Sequence, residues 1–88
     1  MKPEEIRSVV LDCLNGIVPE ADPATIQPTV NLRDQLDLDS VDQLNFVISL
    51  HKRFKIEIPE KEYPQMMTLN GCVSYLSSKT AAGAGTSP

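Results

Sequence analysis

Between Leu36 and Leu44 the chain reads Leu36-Asp37-Leu38-Asp39-Ser40-Val41-Asp42-Gln43-Leu44, a serine set among three aspartates. The run joins a proline-containing segment to an amphipathic stretch, so Ser40 falls where a helix is expected to start. A helix N-terminus offers backbone N–H groups without intrahelical partners and a partial positive charge, both of which suit an attached phosphate. Asp37, Asp39 and Asp42 would draw a magnesium ion or a basic protein surface. A serine so placed reads more readily as a group to be modified than as a nucleophile. A catalytic serine needs a base within hydrogen-bond reach. The sole histidine is His51, eleven positions along the same helix, or roughly 16 Å at 1.5 Å per residue. Ser-His catalysis within one chain is thereby excluded. Glycine-rich phosphate loops, G-x-S-x-G elbows and H-E-x-x-H pairs are also missing from the sequence, and the expectation is a protein that is not an enzyme.

Local physics leaves two roles open for Ser40. Ser40-Val41-Asp42-Gln43 fits a capping box, in which the serine and the glutamine three residues later satisfy amides at the helix start. Asp39 could cap instead, leaving the Ser40 hydroxyl free in the first turn.

The elements that position this run follow from hydrophobic spacing. Ile6, Val9, Val10, Cys13 and Leu14 line one face of a first helix over Pro3 to Asn15, with Gly16 suited to the residue past its end. From Ile17 to Asp39 a connection with Pro19, Pro23 and Pro28 is expected. It is anchored by Ile26, Val30, Leu32, Leu36 and Leu38, with room for a short turn around Pro23 to Ile26. Connections of that length inside a small domain are uncommon and often functional. The second helix runs from Ser40 to about Phe54. At about 100° per residue, Phe46, Leu50, Phe54 and Val47 cover one arc, while Val41, Leu44 and Ile48 gather on another. Either both arcs are buried, or Val41, Leu44 and Ile48 stay exposed as a docking stripe beside the serine.

After an extended exit through Ile56-Glu57-Ile58-Pro59, residues Glu60 to Gln65 allow at most a brief helical turn, because Pro64 resists a helix interior. Thr68 is placed to cap a last helix to about Ser78 carrying Leu69, Cys72, Val73 and Leu76. Residues 80–88, rich in Ala, Gly and Ser, are expected to be a disordered tail behind a domain at 1–79. The fold class is all-α: a small four-helix bundle with a long loop between helices 1 and 2 and a short third helix.

Composition narrows the partners. The chain has 88 residues, 41% hydrophobic, with a formal charge of −4; it makes one domain with a limited core. That charge argues against nucleic acid, and a helix-turn-helix DNA binder would need a basic recognition helix that is not present. Apolar runs fall short of the ~18 residues of a membrane span, and the N-terminus lacks a signal-peptide core, so a cytoplasmic monomer is expected. Cys13 and Cys72 sit on apolar helix faces without metal-ligand spacing and are expected to be buried free thiols; no resident metal is expected.

With these residues in view, the sequence resembles the acyl carrier protein family. The family carries Asp-Ser-Leu at the start of its second helix, preceded by a leucine and often a glycine. Asp39-Ser40-Val41 falls there, after Leu36-Asp37-Leu38. Phe46, Leu50, Phe54, Ile56-Glu57-Ile58-Pro59, Thr68-Leu69 and Val73-Ser74-Tyr75-Leu76 follow the same pattern, and the likeness covers about residues 3 to 78. The resemblance implies that Ser40 receives a covalent 4′-phosphopantetheine from coenzyme A through a phosphopantetheinyl transferase with magnesium. Acyl groups would then ride on its thiol as thioesters, delivered to loading, elongating or transferring enzymes of fatty-acid, lipid or polyketide-type biosynthesis. Asp37, Asp39, Val41, Asp42, Leu44, Ile48, Lys52 and Arg53 would form the docking surface, and Phe46, Val47 and Leu50 an interior able to shelter an acyl chain.

Three departures stand out. Val41 replaces the usual leucine, and Asp37 a common glycine. Asn45, His51, Lys52 and Arg53 stand where housekeeping carriers usually have glutamates. The last departure suggests a specialised carrier, because rim charge alters partner choice more than fold; alternatively, Lys52 and Arg53 only complement the helix C-terminal dipole. An aminoacyl or peptidyl carrier, or an unmodified helical interaction module in which Ser40 merely caps, are the alternatives.

Overall fold

A computed structural model describes the backbone of residues 2–86 and the side chains of residues 2–80. The chain forms helix α1 over Pro3–Ile17, a 3-10 turn at Pro23–Thr25, a short helix α2 at Leu32–Leu36, α3 over Ser40–Phe54, a 3-10 helix at Glu60–Met66, and α4 over Leu69–Thr86. α1 packs against both α3 and α4, and the 3-10 helix lies on α4. This is the expected all-helical bundle, its short third member being the 3-10 helix.

The predicted apolar faces become the core. Ile6, Val10 and Leu14 of α1, Leu50 of α3, and Leu69, Cys72 and Leu76 of α4 are fully buried, joined by Phe46, Val47 and Cys13. Val9 and Val73 are half-buried at the margin. Each fully buried Leu or Ile contributes about 1.5–3 kcal/mol relative to leaving it exposed, which is what holds helices that would be marginal in isolation. Cys13 and Cys72 are free and buried. Burial pushes the Cys72 thiol up to about 12, and its Sγ–H lies 3.2 Å from the Met66 carbonyl.

Four boundaries differ from expectation. α1 continues through Gly16 to Ile17, because Ile17 and Val18 pack on the core and the Val18 N–H reaches the Leu14 carbonyl at 2.8 Å. The connection contains α2, which periodicity over five residues cannot announce. α2 is capped by Asn31, whose side chain accepts from the Arg33 N–H at 2.8 Å, and buries Leu32. Glu60–Met66 is a full 3-10 helix with Pro64 inside it, held by Met66 in the core. α4 runs beyond Ser78 to Thr86. The side chains of residues 81–86, and residues 87–88 altogether, lie outside the described part, where most of the expected tail falls.

The long connection is pinned at several points. Gln35 donates from Nε2 to the carbonyls of Gln27 and Val30, both at 2.9 Å, and its Oε1 accepts from the Gln27 N–H at 2.9 Å. The Leu32 N–H donates to the Met67 carbonyl at 2.7 Å, and the Asn70 N–H to the Pro28 carbonyl at 3.0 Å. Ile26, Leu32 and Leu38 are buried anchors. Together these fix where α2 ends, and hence where α3 begins.

Candidate functional site

Three residues separate α2 from α3, and each has a distinct task. Asp37 closes α2 in the left-handed conformation, with φ 54°, and its N–H donates to the Arg33 carbonyl. Such a φ favours glycine and costs about 1–2 kcal/mol for most other residues, less for Asp and Asn. That backbone requirement explains why a glycine is natural at this place. Leu38 turns inward and is buried. Asp39 is extended and becomes the N-cap of α3.

The cap resolves the ambiguity at Ser40. Asp39 Oδ1 accepts from the Asp42 N–H at 2.8 Å, and Asp42 Oδ2 accepts from the Asp39 N–H at 3.4 Å. The capping box is thus formed by two aspartates and not by Ser40 and Gln43. Gln43 sits one position too far into the helix, its N–H making the first intrahelical bond, to the Asp39 carbonyl at 3.0 Å. Ser40 is the first helical residue, exposed, and its hydroxyl is left out of the cap. Of the four amides at this end lacking intrahelical partners, the box takes those of Asp39 and Asp42. Those of Ser40 and Val41 stand next to the hydroxyl.

Beside Ser40 lies an open cleft of about 400 Å³ between α3 and the 3-10 helix, lined by Ser40, Gln43, Leu44, Glu60 and Tyr63. Glu60 and Tyr63 carried no signal from which sequence alone could place them near Ser40. They arrive because the 3-10 helix is fastened to α4 from behind. The Tyr75 hydroxyl donates to Glu62 Oε1, Lys79 Nζ lies 3.5 Å from the same oxygen and 5.5 Å above the Tyr75 ring. The hydrogen bond from Tyr75, with Lys79, holds the Glu62 carboxyl below its usual range. Burial, then the Glu62 carboxylate, pushes Tyr75 up to about 12. At Gly71 a Cβ would meet the Gln65 carbonyl oxygen at 2.4 Å, so α4 and the 3-10 helix approach as closely as only glycine allows.

α3 buries Phe46, Val47 and Leu50, while Val41, Leu44 and Ile48 remain 64%, 47% and 40% exposed. The second apolar arc is therefore open to solvent. The remaining candidates divide. Asp37 and Asp39 are exposed at the serine end, and His51, Lys52 and Arg53 are exposed in the last turn. Arg53, however, pairs with Asp12 of α1 at 3.9 Å and so belongs to the flank that faces the bundle. Among the described residues no three or more His, Cys, Asp or Glu side chains group to hold a metal, and no helix is long and apolar enough to cross a membrane.

These features have counterparts in known proteins. Residues 8–76 match the family model described as the phosphopantetheine attachment site. The chain is 32% identical over 82 residues to a mitochondrial acyl carrier protein of Neurospora crassa, a match covering 93% of this chain and 61% of that protein. The chain thus spans less than two thirds of that relative's length. It is 33% identical over 78 residues to an acyl carrier protein of Lactobacillus acidophilus, covering 89% of this chain and 96% of the relative. Its fold superposes on the acyl carrier protein of Enterococcus faecalis with a TM-score of 0.70 and 25% identity, covering 89% of this chain and 98% of that one.

Proposed function

The chain belongs to the acyl carrier protein family, whose members carry a covalent 4′-phosphopantetheine, and from that premise we propose that Ser40 bears the group in this protein. The observation that carries the assignment is the cap: Asp39 takes the capping role, so the Ser40 hydroxyl is both exposed and chemically unspent. The residues fit the group. The amides of Ser40 and Val41, which have no intrahelical partner at the start of α3, would be available to a phosphate on Ser40 Oγ, where the α3 dipole favours negative charge. The adjoining cleft offers Leu44 and Tyr63 to the arm. When bound, the group supplies a thiol that holds acyl chains as thioesters, and the protein supplies attachment and presentation. In this reading residues 1–79 form the carrier bundle.

The family hands acyl groups to acyl-handling enzymes and does not itself catalyse. The same role here is supported by the placement of His51 at the far end of α3 from Ser40. Loading would fall to a phosphopantetheinyl transferase that brings magnesium and coenzyme A. There the Ser40 oxygen bonds to the pantetheine phosphorus, adenosine 3′,5′-bisphosphate departs, and the hydroxyl proton passes to the transferase. Two buried free thiols suit a reducing compartment such as the cytoplasm. The basic last turn of α3 supports a specialised carrier rather than a housekeeping one.

The test is intact mass after incubation with coenzyme A, magnesium and a broad-specificity transferase. Wild type should gain one phosphopantetheine and Ser40→Ala none. A folded wild-type protein that gains nothing, or a Ser40→Ala variant that still gains the group, would overturn the assignment.

A further inference from the structure

The outward face of α3 changes sign along its length. At about 100° per residue from Phe46, the buried arc of Phe46, Leu50, Phe54 and Val47 covers a little over a quarter of the helix circumference. Leu44, Ile48 and Val41 lie on the opposite side. His51 and Lys52 fall just outside that second stripe, one on either side of it, and so border its far end. Arg53 and Asp42 point in neither of these directions but towards the flank next to Phe46. There Arg53 is turned to Asp12, and the Asp42 carboxylate is folded back onto the Asp39 amide. Lys52 has no ion-pair partner among the described residues. The exposed acidic residues at the serine end are Asp37, Asp39, whose Oδ1 also caps α3, and Glu60 across the cleft. Between Asp39 and Lys52 the helix rises about 20 Å at 1.5 Å per residue.

Building on the carrier reading, we propose that α3 docks on a partner enzyme whose rim is itself bipolar. That rim is basic beside the entrance for the arm, apolar against Val41, Leu44 and Ile48, and acidic about 20 Å further along, against His51 and Lys52. Charge complementarity selects this occupant. A rim basic throughout would set like charges against Lys52, and a rim acidic throughout would repel Asp37 and Asp39. Charges at such a rim steer encounter and reject wrong partners more than they add affinity, and they act within a Debye length of roughly 8–10 Å. Three partly exposed aliphatic side chains suit a transient contact, the kind a carrier needs for release. A stable dimer buries at least ~1,200 Å² in total, or about 600 Å² on each copy.

The test uses the full-length holo-protein, verified by mass and loaded with an acyl group. It is presented to a carrier-dependent condensing enzyme chosen for a carrier-facing rim of lysine and arginine throughout. The second arm is a variant of that enzyme in which the basic residue opposite position 52 is replaced by glutamate. Wild-type carrier should show about tenfold higher kcat/KM with the glutamate-bearing rim. The gain should shrink at high salt, and the His51→Glu/Lys52→Glu carrier should reverse the preference. Lys52→Gln, which removes charge without adding any, should fall between. Equal kcat/KM for both rims would overturn the proposal, as would sedimentation showing that the wild type dimerises and that Lys52→Glu abolishes the dimer. A protein that never accepts the prosthetic group overturns the carrier reading instead, and mass reports this before any rim is compared.

Discussion

Replacing Asp39 and Ser40 separately by alanine should have opposite consequences, and the difference follows from one hydrogen bond. Asp39→Ala removes the acceptor of the Asp42 N–H, a bond of 2.8 Å, while the weaker return contact of 3.4 Å to the Asp39 amide can persist. Loss of an N-cap acceptor costs about 1 kcal/mol, within a range of roughly 0.5–2. Loss of the negative charge at the positive end of α3 adds up to a few tenths of a kcal/mol more. The sum is about 1–1.5 kcal/mol. For a domain of this size each kcal/mol lowers Tm by roughly 4–8 °C, so Asp39→Ala should melt about 4–12 °C below wild type. Ser40 is the first helical residue and does not cap, and alanine is a slightly better helix former. Ser40→Ala should therefore stay within about 0.5 kcal/mol of wild type while abolishing modification. Asp39→Asn keeps the acceptor and drops the charge, and should lie near wild type. The assay is thermal and urea unfolding of the apo-proteins followed by helical circular dichroism. A Ser40→Ala variant destabilised as much as Asp39→Ala would refute the assignment, because the serine hydroxyl would then be the cap.

Other outcomes test the rest of the scaffold. Lys55 ends α3 with φ 55°, so Lys55→Gly should stabilise by up to about 1 kcal/mol, the relieved left-handed strain less the backbone entropy of glycine; a lower urea midpoint would contradict it. Gly71→Ala places a Cβ at 2.4 Å from the Gln65 carbonyl oxygen and should cost about 1–3 kcal/mol despite alanine's better propensity, read by the same unfolding curves. Glu62 has a lowered folded pKa through Tyr75 and Lys79. Its contribution is present above the ordinary carboxylate range and is lost as pH falls through the folded value, so Tyr75→Phe should flatten the acid limb of stability against pH. Tyr75 itself is raised to about 12 from an ordinary 10. Its contribution is intact below pH 10 and fades as pH climbs towards 12, which alkaline melting curves of wild type and Tyr75→Phe would compare. Cys72, fully buried and raised to about 12, should resist alkylation in the native state at neutral pH and react once urea unfolds the chain.

Much of this was legible in the chain because it depends on periodicity and on residue types at helix ends. The core positions of α1, α3 and α4 repeat at helical spacing over several turns, and only burial satisfies such a stripe. α2 and the 3-10 helix were not legible. α2 has five residues, too few to show a period, and both elements owe their existence to tertiary anchors: Leu32 and Met66 in the core, Gln35 clasping the loop, and Glu62 held by Tyr75. The placement of Glu60 and Tyr63 beside Ser40 was hidden for the same reason.

At Ser40 the division is sharpest. Residue order is enough to show that a serine stands at a helix start among carboxylates and that the sole histidine is too distant to activate it. It also shows that a second apolar stripe runs along the same helix. Which side chain caps could not be read there, since Ser40 with Gln43 and Asp39 with Asp42 both satisfy the three-residue spacing of a box. The turn settles it. Asp37 in its left-handed conformation and Leu38 drawn into the core fix the chain's entry angle, so Asp39 reaches the Asp42 amide and the serine hydroxyl is turned to solvent. The exposure of Val41, Leu44 and Ile48, and the diversion of Arg53 to Asp12, likewise follow from where α1 packs. Spacing along a chain says which residues share a face, and only the neighbours of that face say whether it meets protein or water.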